Sequence, residues 1–134
     1  MKFTRITAPL FVLLPRKTKP PKKQILNLNN YRNWHYIANN QTKQAFKDAL
    51  RLQLEGKIFT TPIKIEFAYY KPTNRKSDRS NVLSIVEKFL CDAMVEFGCI
   101  PDDSDEYIES CHYYGGRLDK ENPRVDIAVI EINP

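Results

Sequence analysis

The spacing of apolar residues predicts one long amphipathic helix between Asp78 and Gly98. Its apolar side chains repeat at steps of three and four residues, which gathers them on one face at about 100° per residue. That face comprises Val82, Val86, Phe89, Leu90, Ala93 and Phe97. A separate polar face comprises Asn81, Ser84, Lys88 and Asp92. One side of the helix can therefore pack against a core, and another side can carry functional polar groups.

The residues at both ends of this helix suit helix termini. Asp78 or Ser80 can cap the N-terminus, because its side-chain oxygen can accept from free backbone N–H groups. Gly98 tolerates the positive φ that is common just after a helix, and Pro101 then favours an extended exit. An acidic turn follows, with Asp102, Asp103 and Asp105.

The remaining pattern predicts one more main helix and several strands. Period-two alternation and β-branched residues predict strands at 2–14, 61–70, 107–114 and 124–132, and a helix is predicted at 36–55. The last strand is apolar on both faces and is expected to be central in its sheet. We expect a turn to begin at Gly115-Gly116. The fold class is therefore α+β: a single domain over residues 1–134, with a mixed four-stranded sheet and two main helices.

Basic segments flank the predicted elements. Residues 15–24 are rich in Pro and Lys and are expected to form an extended, mobile loop. Residues 71–77 form a second basic loop that leads into Asp78, and residues 28–36 interleave Asn with aromatic and basic side chains. Such side chains suit the phosphates and sugars of nucleic acids. The predicted nucleic-acid contacts are Arg16, Lys17, Lys19, Lys22, Lys23, Asn30, Arg32, Lys71, Arg75, Lys76 and Asn81.

Two roles are open for the aromatic residues of the Asn-rich segment. Tyr31 and Trp34 could stack on unpaired bases. Trp34 could instead anchor the following helix to the core. His35 is expected to be a surface or DNA-contacting side chain, because no partner lies near it in the sequence.

Charge is distributed unevenly along the chain. Residues 1–47 carry ten Lys or Arg and no acidic residue, whereas residues 48–134 carry eleven Lys or Arg and sixteen acidic residues. A basic half beside an acidic half suits a nucleic-acid enzyme, in which one part holds phosphates and the other holds a metal ion. A solvated basic loop would produce the same asymmetry.

Composition narrows the class of protein. No apolar run approaches the length needed to cross a membrane, so no membrane association is expected. Three widely spaced cysteines without a C-x-x-C motif favour buried, reduced thiols over disulfides or structural zinc. We expect a cytoplasmic protein, in a bacterium or a phage-infected host.

The acidic residues around the long helix are the candidate metal ligands. Carboxylates with a neighbouring lysine suit Mg²⁺, with Mn²⁺ as a substitute. Asp78 and Asp103 can meet only if the chain turns back along the helix after Pro101, or if the helix starts later. A capping aspartate and an acidic surface turn are the alternative explanation.

Three segments, 78–81, 87–94 and 98–103, resemble the RusA family of Holliday junction resolvases, especially its phage and prophage members. They read Asp-Arg-Ser-Asn, Glu-Lys-Phe-Leu-Cys-Asp-Ala-Met and Gly-Cys-Ile-Pro-Asp-Asp. The specific match covers about 26 residues, and a looser likeness extends over most of the chain. The resemblance implies a small homodimeric, Mg²⁺-dependent endonuclease that acts on four-way DNA junctions, with no small-molecule cofactor.

The resemblance also assigns roles. Asp78 and Asn81 match the first aspartate and the asparagine of the family's D-x-D-N motif. Lys88 matches the catalytic lysine, and Asp103 matches the later catalytic aspartate. The expected catalytic residues are thus Asp78, Lys88 and Asp103.

The chain departs from the family pattern at two points. Ser80 replaces the second aspartate of the motif, and the spacing from Asn81 to Lys88 is longer by about one helical turn. Asp92 is the preferred substitute for the lost carboxylate, with Glu87 as the other choice, so the expected metal ligands are Asp78, Asp92 and Asp103. Paired symmetric nicking of branched DNA, in recombination and repair, is the leading expectation. The alternatives are a catalytically impaired junction-binding protein and, less favoured, a protein-interaction module with an acidic surface.

Overall fold

A computed structural model of the chain describes residues 2–76 and 78–134. It contains six strands: β1 (Lys2–Ala8), β2 (Phe11–Leu14), β3 (Lys22–Ile25), β4 (Ile63–Lys71), β5 (Ile108–Leu118) and β6 (Arg124–Glu131). The helices are α1 (Leu28–Asn33), α2 (Tyr36–Leu54) and α3 (Arg79–Glu96). The α+β class, the mixed four-stranded sheet and the two main helices, α2 and α3, are confirmed.

Four strands form the main sheet in the order β1-β6-β4-β5. The β1–β6 and β6–β4 pairs are antiparallel, whereas β4 and β5 are parallel. Strand β6 has a partner on each side, so its predicted central position is confirmed. The parallel pair is connected through α3, which brings the helix against the edge strand β5.

Local sequence explains the limits of α2 and α3. Asp78 is the N-cap of α3, and its carboxylate accepts from the backbone N–H of Ser80 at 2.9 Å. After the helix, Gly98 has a φ of 76°, and the N–H of Cys99 donates to the carbonyl of Met94. The predicted ends at Asp78 and Gly98 are therefore confirmed, as is the end of α2 before Gly56.

The core side of α3 is wider than the predicted stripe. Val86, Phe89, Leu90 and Ala93 are buried as expected, but Val82 and Phe97 are only half-buried. The helix also buries Leu83, Ile85, Cys91 and Met94. Because α3 packs against α1, α2, β4 and β5, residues on several of its faces are removed from water.

The first predicted strand, 2–14, is two strands in the structure. It breaks at Pro9 and Leu10, and its second part, β2, pairs with β3 in a separate hairpin. The expected basic loop through residue 24 is therefore wrong for residues 22–24, which belong to β3. Gln24 is buried there, and its amide donates to the hydroxyl of Thr42 on α2.

Strand β5 is longer than predicted. It continues through Gly115 and Gly116, where a turn was expected. A Cβ at Gly115 would lie 3.1 Å from the Cδ atom of Arg79, so the glycine allows the start of α3 to approach the strand closely. Gly116 has a φ of 79°, at an irregularity in the β4–β5 register. Among the described residues, no helix has the length and apolar character needed to cross a membrane.

Candidate active site

A cavity of about 430 Å³ lies where the second half of α3 faces the acidic turn and the start of β5. Five carboxylates line it: Glu87, Asp92, Asp103, Asp105 and Glu109. Lys88 is the one basic side chain in its lining. The structure thus brings together three of the predicted site residues, Lys88, Asp92 and Asp103, from two segments of the chain.

The chain reversal after α3 places the acidic turn beside the helix. The carbonyl of Cys99 accepts from Phe59, which attaches the reversal to the segment before β4. Asp102 then accepts from the backbone N–H of Asp103 at 2.8 Å, and the N–H of Tyr107 donates to the carbonyl of Ser104. These bonds give Asp102 a role in shaping the turn and leave Asp103 at the cavity.

Two thiols, Cys91 and Cys111, line the cavity, and Tyr113 lies behind its lining residue Glu87. The hydroxyl of Tyr113 on β5 donates to Glu87 on α3 at 2.6 Å, and burial followed by this bond raises the pKa of Tyr113. Burial raises the pKa of Cys91, and burial with the nearby Glu87 raises the pKa of Cys111 to about 12. Both thiols are therefore protonated at neutral pH, so the remaining polar side chains of the lining offer oxygen atoms and one lysine.

Asp92 lines the cavity and also contacts a lysine of α2. Its carboxylate lies 3.4 Å from the Nζ atom of Lys43, which also approaches Glu96 at 3.8 Å. Lys47 makes a closer ion pair with Glu96, at 2.8 Å, and hydrogen bonding to Lys47 lowers the pKa of Glu96. Lys43 therefore partly neutralises Asp92 at the acidic edge of the cavity, whereas Lys47 acts on Glu96 outside its lining.

Asp78 lies away from this cavity. It caps the first turn of α3, and Asp92 follows 14 residues later on the same 18-residue helix. At 1.5 Å per residue, the two Cα atoms are separated by about 21 Å. One ion cannot be bound by both side chains, so the predicted ligand set of Asp78, Asp92 and Asp103 is not assembled in this structure.

The N-terminal end of α3 has polar neighbours of its own. The side-chain oxygen of Asn81 accepts from the backbone N–H of Asn29 at 3.3 Å, which joins α3 to α1. Asn27 caps α1 by accepting from Asn30, whose side-chain amide donates to the carbonyl of Ile25. Asn30 and Asn81 therefore help to hold this corner of the fold together.

The predicted basic contacts fall into two groups. Lys71 donates to the carbonyl of Arg75 within the loop before Asp78, and Lys76 lies next to them in the chain. Ser77, at the end of the predicted loop, lies outside the described residues. The other group surrounds the β2–β3 hairpin: Arg16, Lys17 and Lys19 in its connection, and Lys22 and Lys23 on β3. Arg32 is exposed on α1, between the two groups in the chain.

The aromatic residues of the Asn-rich segment pack against the core. The rings of Trp34 and Phe89 are stacked with a centroid distance of 6.5 Å, and Tyr31 meets both rings edge-on. Trp34 therefore anchors the segment between α1 and α2 to α3. This is the second of the two roles that the sequence left open for Trp34. His35 is exposed and caps α2, where its Nδ1 atom accepts from Ile37.

Several cavity residues were not singled out by the sequence. Asp105 was expected only as part of the acidic turn, and Glu87 only as a substitute ligand. Glu109 lies on β5 after the turn, and Lys43 reaches Asp92 from α2. The i, i+4 spacing places Glu87 beside Cys91, and Lys88 beside Asp92, on a helix, but no local pattern indicates which strand faces them.

The donor chemistry of the cavity suits a hard divalent cation. Exposed or half-exposed carboxylates surround it, and its thiols stay protonated. Within residues 2–76 and 78–134, however, no three His, Cys, Asp or Glu side chains lie close enough together to hold a metal ion. The ligand types fit Mg²⁺, and a preformed three-ligand centre is not found among these residues.

Comparison of the sequence with protein-family models gave no match, and comparison with curated protein sequences gave none either. The resemblance of residues 78–103 to RusA resolvases therefore remains a prediction from the sequence.

Proposed function

We propose that this chain is a metal-dependent endonuclease that cuts branched DNA, in line with its resemblance to RusA resolvases. One observation carries the proposal. Lys88 and Asp103, which match the family's catalytic lysine and later aspartate, line the same cavity although 15 positions separate them in the chain. A lysine among carboxylates suits metal-assisted phosphodiester cleavage, because the carboxylates can hold a cation and the ammonium group can stabilise charge on the phosphate.

In this proposal Asp103 holds the cation with help from Asp92 and Asp105, two other carboxylates of the cavity lining. When bound, Mg²⁺ supplies an activated water molecule and electrostatic stabilisation of the reacting phosphate. Lys88 is exposed at the cavity, where its ammonium group can hold the charge of the scissile phosphate. Asp78 takes no part in this ion and acts at the other end of α3.

Two copies of the chain would cut the two opposing strands of a four-way junction. A twofold-symmetric dimer presents two equivalent cavities, which matches the symmetry of the junction. The basic residues of the β2–β3 hairpin and of the loop before Asp78 would hold the DNA arms through their phosphates.

The test is cleavage of a synthetic four-way junction with and without Mg²⁺. We expect paired nicks from the unmodified protein and a loss of about 100-fold or more in Asp103→Asn, because a metal ligand contributes several kcal/mol to the transition state. Asp102→Asn is the matched control, since it removes the neighbouring charge and keeps an acceptor for the N–H of Asp103. Equal rates for Asp103→Asn and the unmodified protein would refute the proposal.

A second candidate is a junction-binding protein without nuclease activity. It is favoured by the missing carboxylate at Ser80, by the distance of Asp78 from the cavity and by the ion pair between Asp92 and Lys43. This candidate predicts salt-dependent binding of the junction with no nicks in Mg²⁺ or Mn²⁺, so the same experiment separates the two.

A further inference from the structure

One face of the main sheet is left uncovered by the described elements. Along β4 and β6 every second side chain is buried, and the residues between them are half-exposed. The buried set includes Ile65, Phe67, Ile127 and Val129, which belong to the core shared with the helices. The other set forms the wall of an open groove of about 950 Å³ that spans the sheet, which we call the open face.

The strand register places the residues of the open face in rows across the sheet. In one row Arg5 on β1 lies opposite Ala128, which lies opposite Glu66. In the next row Thr7, Asp126, Ala68 and Tyr114 follow one another from β1 to β5. Each row contains one alanine, Ala128 or Ala68, which leaves a shallow floor among the larger side chains.

Cationic side chains outnumber acidic ones on this face. The cations are Arg5, Lys64, Arg117 and Arg124, and the acids are Glu66 and Asp126. Arg124 forms ion pairs with Asp119 and Asp126. Among residues 2–76 and 78–134, no ion pair is formed by Arg5, Lys64 or Arg117. Glu66 also has no ion pair among these residues, and Arg117 donates to the hydroxyl of Tyr70 at 3.3 Å. The three cations outnumber this one acid, so the face has a positive surplus that attracts a polyanion.

Aromatic rings accompany these charges. Phe3 is 62% exposed on the edge strand β1, and Tyr114 is 47% exposed on the opposite edge strand β5. The ring of Tyr70 is covered by the guanidinium group of Arg124 at 4.1 Å, so it supports the arginine and is not itself free for stacking. Phe3 and Tyr114 offer exposed ring surface at the two sides of the groove, and nucleobases stack well on such surfaces.

Charge also decides against a second copy of the chain as the occupant. In a twofold-symmetric dimer the same patch meets itself, so two faces that each carry a positive surplus would approach one another. A single-stranded nucleic acid has the complementary chemistry, with a continuous negative backbone and bases that can stack. We infer that the open face binds single-stranded DNA, through Arg5, Arg117 and Lys64 to phosphates and through Phe3 and Tyr114 to bases. The choice of DNA over RNA rests on the proposed function.

The experiment measures binding of a fluorescent thymidine 30-mer to the full chain by anisotropy in EDTA, where metal-dependent cleavage cannot occur. We expect Phe3→Ala to weaken binding by at least about fivefold, the effect of one lost stacking contact. Arg117→Ala should lower the slope of log K against log salt concentration by about 0.7, the value for one lost phosphate contact on a single strand.

Matched controls lie on the helical side of the molecule. Leu52→Ala removes an apolar side chain that is 99% exposed, and Lys57→Ala removes an exposed positive charge. Both should bind the 30-mer like the unmodified protein. Thermal denaturation of each variant verifies that it is folded, and Tyr114→Ala provides a second aromatic variant that must weaken binding if Phe3→Ala fails to fold.

Three results would overturn the inference. They are no binding of the 30-mer at low salt, equally weakened binding in the variants of the open face and in the control variants, or at least tenfold tighter binding of the matching uridine RNA. A change from dimer to monomer in Arg117→Ala, seen by light scattering, would show instead that a second copy occupies the face. The readout is independent of cleavage. A protein that binds the 30-mer through this face but leaves junctions intact would support the inference and refute the proposed nuclease.

Discussion

The hydroxyl of Tyr113 donates a 2.6 Å hydrogen bond to Glu87, which joins the edge strand β5 to α3 at the wall of the acidic cavity. Both residues are half-buried, and the acceptor carries a charge, so the bond is stronger than one between neutral groups. It fixes the spacing of the two elements that carry Lys88 and Glu109.

We expect Tyr113→Phe to lower the free energy of unfolding by about 1 kcal/mol, because a charge-assisted hydrogen bond is lost and no cavity is created. Urea denaturation measures the change. Tyr114→Phe is the control, since its bond to Glu66 is exposed and 3.3 Å long, and its effect should stay within about 0.5 kcal/mol. Equal effects of the two substitutions would contradict a special role for the Tyr113–Glu87 bond.

Two substitutions of Asp78 distinguish a role in capping α3 from a role in DNA cleavage. Asp78→Ala should lower the free energy of unfolding by about 1 kcal/mol, because the N–H of Ser80 loses its acceptor. Asp78→Asn keeps an oxygen at the N-cap and should leave stability nearly unchanged. If Asp78 only caps the helix, junction cleavage by Asp78→Asn should match that of the unmodified protein. A large loss of cleavage in this folded variant would show that Asp78 belongs to the reaction centre.

Lys43 is predicted to oppose cation binding in the cavity. Lys43→Gln removes the positive charge 3.4 Å from Asp92 and should tighten the binding of Mn²⁺ several-fold, as measured by calorimetry. Lys47→Gln is the matched control on the same helix, since Lys47 pairs with Glu96, which is outside the cavity lining. Tighter binding in the control alone would place the cation at another site.

The buried thiols should make stability fall at alkaline pH. The folded-state pKa of Cys111 is raised from 9.0 to about 12, chiefly by burial, and that of Cys91 is raised for the same reason. Between these values the unfolded chain loses thiol protons that the folded chain keeps, so the free energy of unfolding decreases as pH rises from about 9 towards 12. Urea denaturation across this range should show a shallower decrease for Cys111→Ala.

Thiol labelling provides an independent check. At pH 8 the folded protein should react slowly with iodoacetamide at Cys91 and Cys111, and fast labelling of all three cysteines should require denaturant. Rapid labelling of Cys91 in the folded protein would contradict its burial.

The sequence by itself determined the two long helices and the central strand. Asp78, Gly98 and Gly56 act within a few residues of their own positions, through capping bonds and positive φ angles, so local chemistry is sufficient to place the ends of α2 and α3. The same holds for β6, whose two apolar faces follow from alternation alone. Helical rise, which is also local, already separates Asp78 from Asp92 by about 21 Å.

Only the tertiary structure decided which charges share a cavity. Asp103 and Glu109 come from a turn and a strand, and their positions depend on the chain reversal after Gly98 and on the parallel pairing of β5 with β4. Lys43 reaches the cavity residue Asp92 from a different helix. The extension of β5 through Gly115 likewise depends on its pairing with β4, where Arg117 and Leu118 lie opposite Tyr70 and Lys71. Contacts between residues far apart in the chain are set by packing, which no local pattern encodes. Packing also decides which face of the sheet stays open, because the helices cover only the opposite face.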